Sequence, residues 1–173
     1  MGVDMKNVTT TKKCADCGLC CYFTKEQTCL APYFSKREAR LVDKKKLKKA
    51  SGNLFQAKVV KSIKKEGFFV CLFLDEAKYK CSIYKKRPID CVTWPFIVGW
   101  DKGKKDLYLW IADGSFCPAV KNVNEIKRSS IVDEVINYLK TKNFFKEVKN
   151  GERYLWPYES YQVKIKRITE LIS

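Results

Sequence analysis

Histidine is wholly absent from this chain of 173 residues. Its absence excludes Ser-His-Asp and Cys-His nucleophilic catalysis, zinc sites that use imidazole, and histidine ligation of haem or non-haem iron. Long hydrophobic runs are missing too: nothing approaches the roughly 18 apolar residues of a membrane-crossing helix. The opening segment "MGVDMKNVTTTKK" has no apolar region of the kind a secretion signal needs, and Lys6 stands where a myristoylation signal at Gly2 would want Ser or Thr. A cytoplasmic protein without a membrane span is therefore expected. Arginine is scarce, six among 35 basic residues, which leaves few side chains suited to bidentate phosphate contacts. There is no obvious glycine-rich nucleotide loop and no matched pair of carboxylates, so an enzyme built on this chain would draw its chemistry from a metal.

Against these gaps stand nine cysteines. In a reducing cytosol, clustered cysteines are metal ligands or redox groups more often than structural disulfides. The odd number argues the same way, as does the strain of joining the neighbours Cys20 and Cys21. A hydrophobic fraction of 46% and an aromatic fraction of 13% suffice for a folded core in one domain. The formal charge of +16 would attract any polyanion, nucleic acid included. The lysines are scattered, however, and a solvated basic surface is the favoured reading over a nucleic-acid interface.

Residues 1–13 read as a polar mobile tail, followed by a cysteine-cluster core over 14–119 and a C-terminal helical part over 120–173 packed on the same domain. Ser35 and Glu38 have capping-box spacing and predict a helix from about 35 to 49, ending in "KKKLKK" and stopped by Ser51-Gly52-Asn53. "FQAKVVKSI" and "GFFVCLFL" predict strands joined by the turn Lys64-Lys65-Glu66-Gly67. "WPFIVGW" and "DLYLWIA" predict a second pair joined by "DKGKK", with Pro95 confining its strand to an edge or to a start at that residue. Ser130 and Asp133 mark a helix start with Val132, Val135, Ile136 and Leu139 on one face. A final helix near 158–172 would align Tyr161, Ile165, Ile168 and Ile172.

The stretch "CADCGLCC" carries Cys14, Cys17, Cys20 and Cys21, and a second group comprises Cys71, Cys81, Cys91 and Cys117. Cys29 stands apart as the spare. A C-x2-C turn brings two thiolates to one metal and leaves backbone N–H groups able to point at the sulfurs, as in bacterial ferredoxin loops. If successive side chains diverge, as in extended backbone, Cys20 and Cys21 serve different sites. That division gives Cys14, Cys17, Cys20 and Cys117 to one centre, and Cys21, Cys71, Cys81 and Cys91 to another.

"CADCGLCC" followed by "CLFLDEAKYKCSIYKKRPIDCVTWP" resembles the cysteine-cluster family called YkgJ, described as zinc- or iron-chelating, with a C-x2-C-x2-C-C signature. Cys81, Ile83, Tyr84, Arg87, Pro88, Cys91, Trp94 and Pro95 match the family's second block, C-x-[IV]-Y-x2-R-P-x2-C with an aromatic-Pro pair. Cys71 and the pair Cys117-Pro118 match as well, and the likeness covers about residues 12–119. Lys85 and Val92 depart from the residues common at those positions. The resemblance implies metal bound by the eight cysteines. Arg87 then either offsets the charge of a thiolate centre or clamps a backbone carbonyl, and Tyr84 packs beside the site.

The expected fold is α+β: a small irregular domain with helices around a short, largely antiparallel sheet and cysteine-rich metal-binding loops. The expected function is cysteine-ligated metal binding, through an iron–sulfur cluster of the [4Fe–4S] kind or through Zn²⁺, in a redox or metal-handling role. Two other classes remain open. Similar cysteine blocks occur in flagellin lysine N-methylases, an analogy for a metal-dependent enzyme. A basic zinc-ribbon-like nucleic-acid binder is the third. The protein or small-molecule partner is not indicated.

Overall fold

A computed structural model describes residues 17–118, 120–156 and 162–172; the tail expected over 1–13 lies outside them. The described residues divide into two units between Val92 and Thr93, so the division falls within the stretch expected to form one cysteine-cluster core. Helices and small antiparallel sheets coexist in an α+β arrangement.

The unit up to Val92 is made of very short strands. β1 (Tyr22–Phe23), β2 (Tyr33–Phe34), β3 (Leu47–Lys49), β4 (Phe55–Ala57), β5 (Val59–Lys61), β6 (Phe69–Cys71), β7 (Leu74–Asp75) and β8 (Lys80–Cys81) form sheets ordered β1-β6-β5 and β2-β4-β3, with β7-β8 as a hairpin. Apolar side chains from both three-stranded sheets meet in one core. Phe23, Phe34, Leu47, Ala57, Cys71 and Phe73 are buried together, and Cys21, Cys81 and Ile83 pack against them. The Phe34 and Phe73 rings lie 5.8 Å apart. Burial of such a side chain stabilises by about 1.5–3 kcal/mol relative to its exposure.

The capping box forms, but its helix does not run to residue 49. Helix α1 covers only Lys36–Ala39, with Glu38 N–H directed to Ser35 and the Glu38 carboxylate accepting from Ser35 N–H. Asp43 then caps a separate 3-10 turn over Lys44–Lys46, and Leu47 enters β3 to reach the core. The run of lysines is therefore a turn and an edge strand, since a continued helix would forfeit the pairing of Leu47 with Ala57. Ser51 to Asn53 turn the chain from β3 into β4, with Gly52 at φ +56°. "FQAKVVKSI" splits into β4 and β5, which belong to different sheets, while the predicted hairpin of β5 with β6 is present. The unit closes on helix α2 (Ile89–Thr93), which carries Cys91 and reaches the division.

The unit from Thr93 has longer elements. β9 (Phe96–Trp100), β10 (Leu107–Ala112) and β11 (Gln162–Arg167) form an antiparallel sheet in the order β11-β10-β9. The Asp101 carboxylate accepts from the N–H groups of Lys105 and Asp106 at 2.8 and 3.2 Å, fixing the predicted turn between β9 and β10. Pro95 immediately precedes β9, the edge strand, as expected. Helices α3 (Val123–Arg128), α4 (Ile131–Thr141) and α5 (Phe144–Lys149) follow. α4 buries Val132, Val135, Ile136 and Leu139 along the predicted stripe, with Ile131 added.

The final helix is not formed: residues 162–167 are strand, and residues 157–161 lie outside the description. Val163 and Ile165 alternate with Lys164 and Lys166, a period of two that suits pairing with β10. The helical grouping of Ile165 with Ile168 and Ile172 competed with this alternation. Pairing to β10 decided the outcome, with Ile168 fully buried just beyond the strand.

Candidate metal centre

The loop holding the first cysteines is shaped by Gly18. Its φ of +58° is left-handed, a conformation that favours glycine. It leads into a 3-10 turn over Leu19–Cys21, closed by a bond from Cys21 N–H to Gly18 O at 2.9 Å. The expectation that neighbouring side chains diverge assumed extended backbone. In this turn the two thiols instead act on each other directly, which lowers Cys20 and raises Cys21.

The sulfurs of the second block arrive on adjacent turns. Cys71 ends β6 and Cys81 ends β8, and the two segments are tied by Ser82 N–H donating to Phe73 O at 2.7 Å. Against the larger upward effect of burial, the backbone of Phe73, two residues on, acts to lower Cys71, and that of Ile83 acts to lower Cys81. Such an influence favours thiolate over thiol.

Cys20, Cys21, Cys71, Cys81 and Cys91 lie close enough to act on one another's charge. The neighbouring Cys21 thiol holds the Cys20 thiol below its ordinary value, burial opposes this, and the Arg87 charge adds to the lowering. Cys20 is exposed by surface area, yet its sulfur sits deep enough among the other thiols for burial to be felt. Cys21 is pushed well up, first by Cys20 and then by burial. Burial pushes Cys71 up to about 12, with Lys46 among the influences opposing it. Burial likewise raises Cys81 and Cys91, and Arg87 opposes both shifts.

Arg87 makes the backbone clamp that its position suggested, with Nε donating to Tyr84 O at 3.1 Å and the guanidinium 3.8 Å from the Tyr84 ring centre. Its charge also reaches Cys20, Cys81 and Cys91.

Other cysteines are placed differently. Cys17 is exposed at the entry to the loop, and Cys14 lies outside the described residues. Cys117 is buried in the unit from Thr93, where its N–H donates to Asp113 O at 3.0 Å. Cys29 is exposed, its Sγ 3.4 Å from Glu26 O. No disulfide joins the described cysteines, and among the described residues no three His, Cys, Asp or Glu side chains form a metal-ligand array. Among these residues, the convergence is a shared neighbourhood of sulfurs rather than a closed cage.

Three participants were not singled out from sequence as parts of the site. Lys46 acts on Cys71 and Cys81 through its charge. Glu38 and Asp90 accept backbone N–H groups across long sequence separations. Only the capping-box half of Glu38's bonding had a local signature.

A model of the CxxCxxCC family, a zinc- or iron-chelating domain by its description, matches residues 13–118. The chain belongs to this family. The match spans both cysteine blocks and extends past Cys117. No curated protein and no solved structure matches the chain. The family description supports metal binding by this chain, with zinc or iron as the metal.

The donor set fits that assignment chemically. Thiolates are soft ligands suited to zinc and to iron–sulfur clusters, and the charges of Arg87 and Lys46 reach the neighbouring sulfurs. No helix among the described residues is long and apolar enough to cross a membrane.

Proposed function

We propose that this chain holds an iron–sulfur centre of the [4Fe–4S] kind, with Cys20, Cys21, Cys71, Cys81 and Cys91 as the principal donors. Cys14, Cys17 and Cys117 are the further candidates. The supporting observation is that cysteines from two blocks far apart in sequence share one neighbourhood: Cys21 and Cys81 pack against the core that holds Cys71, and the charges of Cys20 and Cys91 are felt there too. When bound, such a group supplies one-electron chemistry at a potential set by charge, hydrogen bonding and solvent access.

The chain's own residues would tune and protect the centre. The Phe73 and Ile83 backbone and the Arg87 and Lys46 charges stabilise ionised sulfur, while Phe34 and Phe73 in the adjoining core limit water. Cys20 carries the most exposed surface of the group although its sulfur lies among the other thiols, so its side of the loop is the natural point of contact with a redox partner or a metal donor. The charge of +16 does not require a nucleic-acid role. Lys64, Lys65 and Lys164 lie over the rings of Tyr79, Tyr22 and Tyr108, which accounts internally for aromatics lying among lysines.

Purification without oxygen, elemental analysis and visible absorption test this reading together. Iron with matching sulfide and a broad visible band that bleaches on reduction is the expected result. Colourless protein holding stoichiometric zinc would replace the cluster with a closed, redox-silent site. Protein holding neither metal would overturn the proposal.

A further inference from the structure

Glu38 is a buried carboxylate whose two oxygens are spent on different parts of the chain. Oε2 accepts the N–H of Ser35 at 2.9 Å, which is the local capping box. Oε1 accepts the N–H of Ile89 at 2.9 Å, 51 residues further along. Ile89 begins helix α2, and Cys91 lies two residues on. The flanks of Glu38 matter as much as its bonds. Phe34 and Ala39 are both buried in the core against which Cys21, Cys71 and Cys81 pack. A second tie runs parallel to the first: the Asp90 carboxylate accepts Tyr33 N–H at 3.2 Å, again linking the Tyr33–Ala39 segment to the start of α2. Helix-start N–H groups have no partner within their own helix, so this connection satisfies an orphan donor while fixing where the helix sits.

From this arrangement we infer that Glu38 is the positioning residue for Cys91, holding its sulfur in register with the other thiols. The inference rests on the metal-binding reading above. Groups that orient ligands typically alter metal affinity by about 10–100-fold when removed. The expected result is a loss of at least tenfold in affinity, by chelator competition, for Glu38→Gln and Glu38→Ala. Ser35→Ala, which removes only the local cap, should stay within about twofold. Should Glu38→Ala fail to fold, Glu38→Gln carries the test, because it keeps the shape and loses one acceptor.

Two measurements need no metal. Hydrogen exchange at the Ile89 amide and alkylation of Cys91, both in metal-free protein, should accelerate in the Glu38 variants and not in Ser35→Ala. Wild-type affinity in Glu38→Gln, equal losses in Ser35→Ala, or an unchanged Ile89 amide would each overturn the inference. A wild-type protein that takes up neither iron nor zinc would overturn the metal reading alone, and the exchange and alkylation arms would still read the positioning.

Discussion

Replacing Cys71 by Ala separates a ligand from a core residue. Cys71 is 5% exposed and sits in the core with Phe34 and Phe73, so the change removes a buried sulfur whatever else the residue does. In metal-free protein that loss resembles deletion of one or two methylenes, about 1–2 kcal/mol. With metal present a second contribution appears. A ligand binding only the folded state stabilises it by about 4 kcal/mol when its free concentration is 1,000 times Kd. A variant that no longer binds forfeits all of this, so Cys71→Ala should cost about 5–6 kcal/mol in metal-saturated protein. Cys29→Ser, at an exposed position, should stay within about 0.5 kcal/mol under both conditions. Anaerobic urea unfolding, with and without a chelator, gives the four differences required. An equal cost for Cys71→Ala in both conditions would refute the reasoning, as would a metal-dependent loss in Cys29→Ser of similar size.

Arg87→Met removes both the clamp on Tyr84 O and the cation felt by Cys20, Cys81 and Cys91; metal affinity should fall about tenfold by chelator competition, and Arg87→Lys should recover part of it. Burial acts to raise Glu76, but bonds from Ser62 Oγ at 2.5 Å and Ile63 N at 3.0 Å, with others, hold it below 4.5. Its contribution is therefore present above the unfolded value and lost as pH falls through the lower folded value, so acid unfolding of metal-free Glu76→Gln should show a shallower pH dependence below about 4.5. Gly99→Ala would drive a Cβ into Trp156 O, and the displaced backbone should cost about 1–3 kcal/mol in thermal unfolding followed by tryptophan fluorescence. Chelation of metal-loaded protein should raise amide exchange across residues 17–92 while tryptophan fluorescence, all from residues after Val92, stays native.

Local chemistry was legible wherever one residue type decides the backbone. Asp101 in its turn, Ser35 with Glu38, and the α4 stripe from Val132 to Leu139 all act as their spacing indicates. Structure departs from local pattern where a segment suits two conformations. The segment over 162–172 places apolar residues at both helical and alternating spacing, and only its partner strand β10 selects between them. The lysine-rich segment after α1 has helix-forming residues throughout, yet Leu47 is worth more in β3 against the core. At the site, residue types and spacings announced sulfur chemistry, whereas Gly18 and the tight turn that puts Cys20 beside Cys21 are backbone facts with no spacing signature. The Glu38–Ile89 bond is similarly invisible, since its partners are 51 residues apart.

The architecture of the unit up to Val92 bears on why sulfur chemistry would be placed there. Its strands are two or three residues long, against a usual mode of about five or six. Each contributes few ladder bonds, and the core they enclose draws on two different sheets rather than one continuous surface. In such a structure the segments carrying Cys21, Cys71 and Cys81 are held by packing, while α2 is tied on by Glu38 and Asp90. A metal bridging these sulfurs would cross-link segments that the backbone ladder joins only weakly. Its binding free energy would then become folding free energy, as in small domains that assemble around zinc. The unit from Thr93 has five- and six-residue strands and an eleven-residue helix, and has no comparable need. The contrast explains why the metal dependence of stability should fall on one unit and largely spare the other.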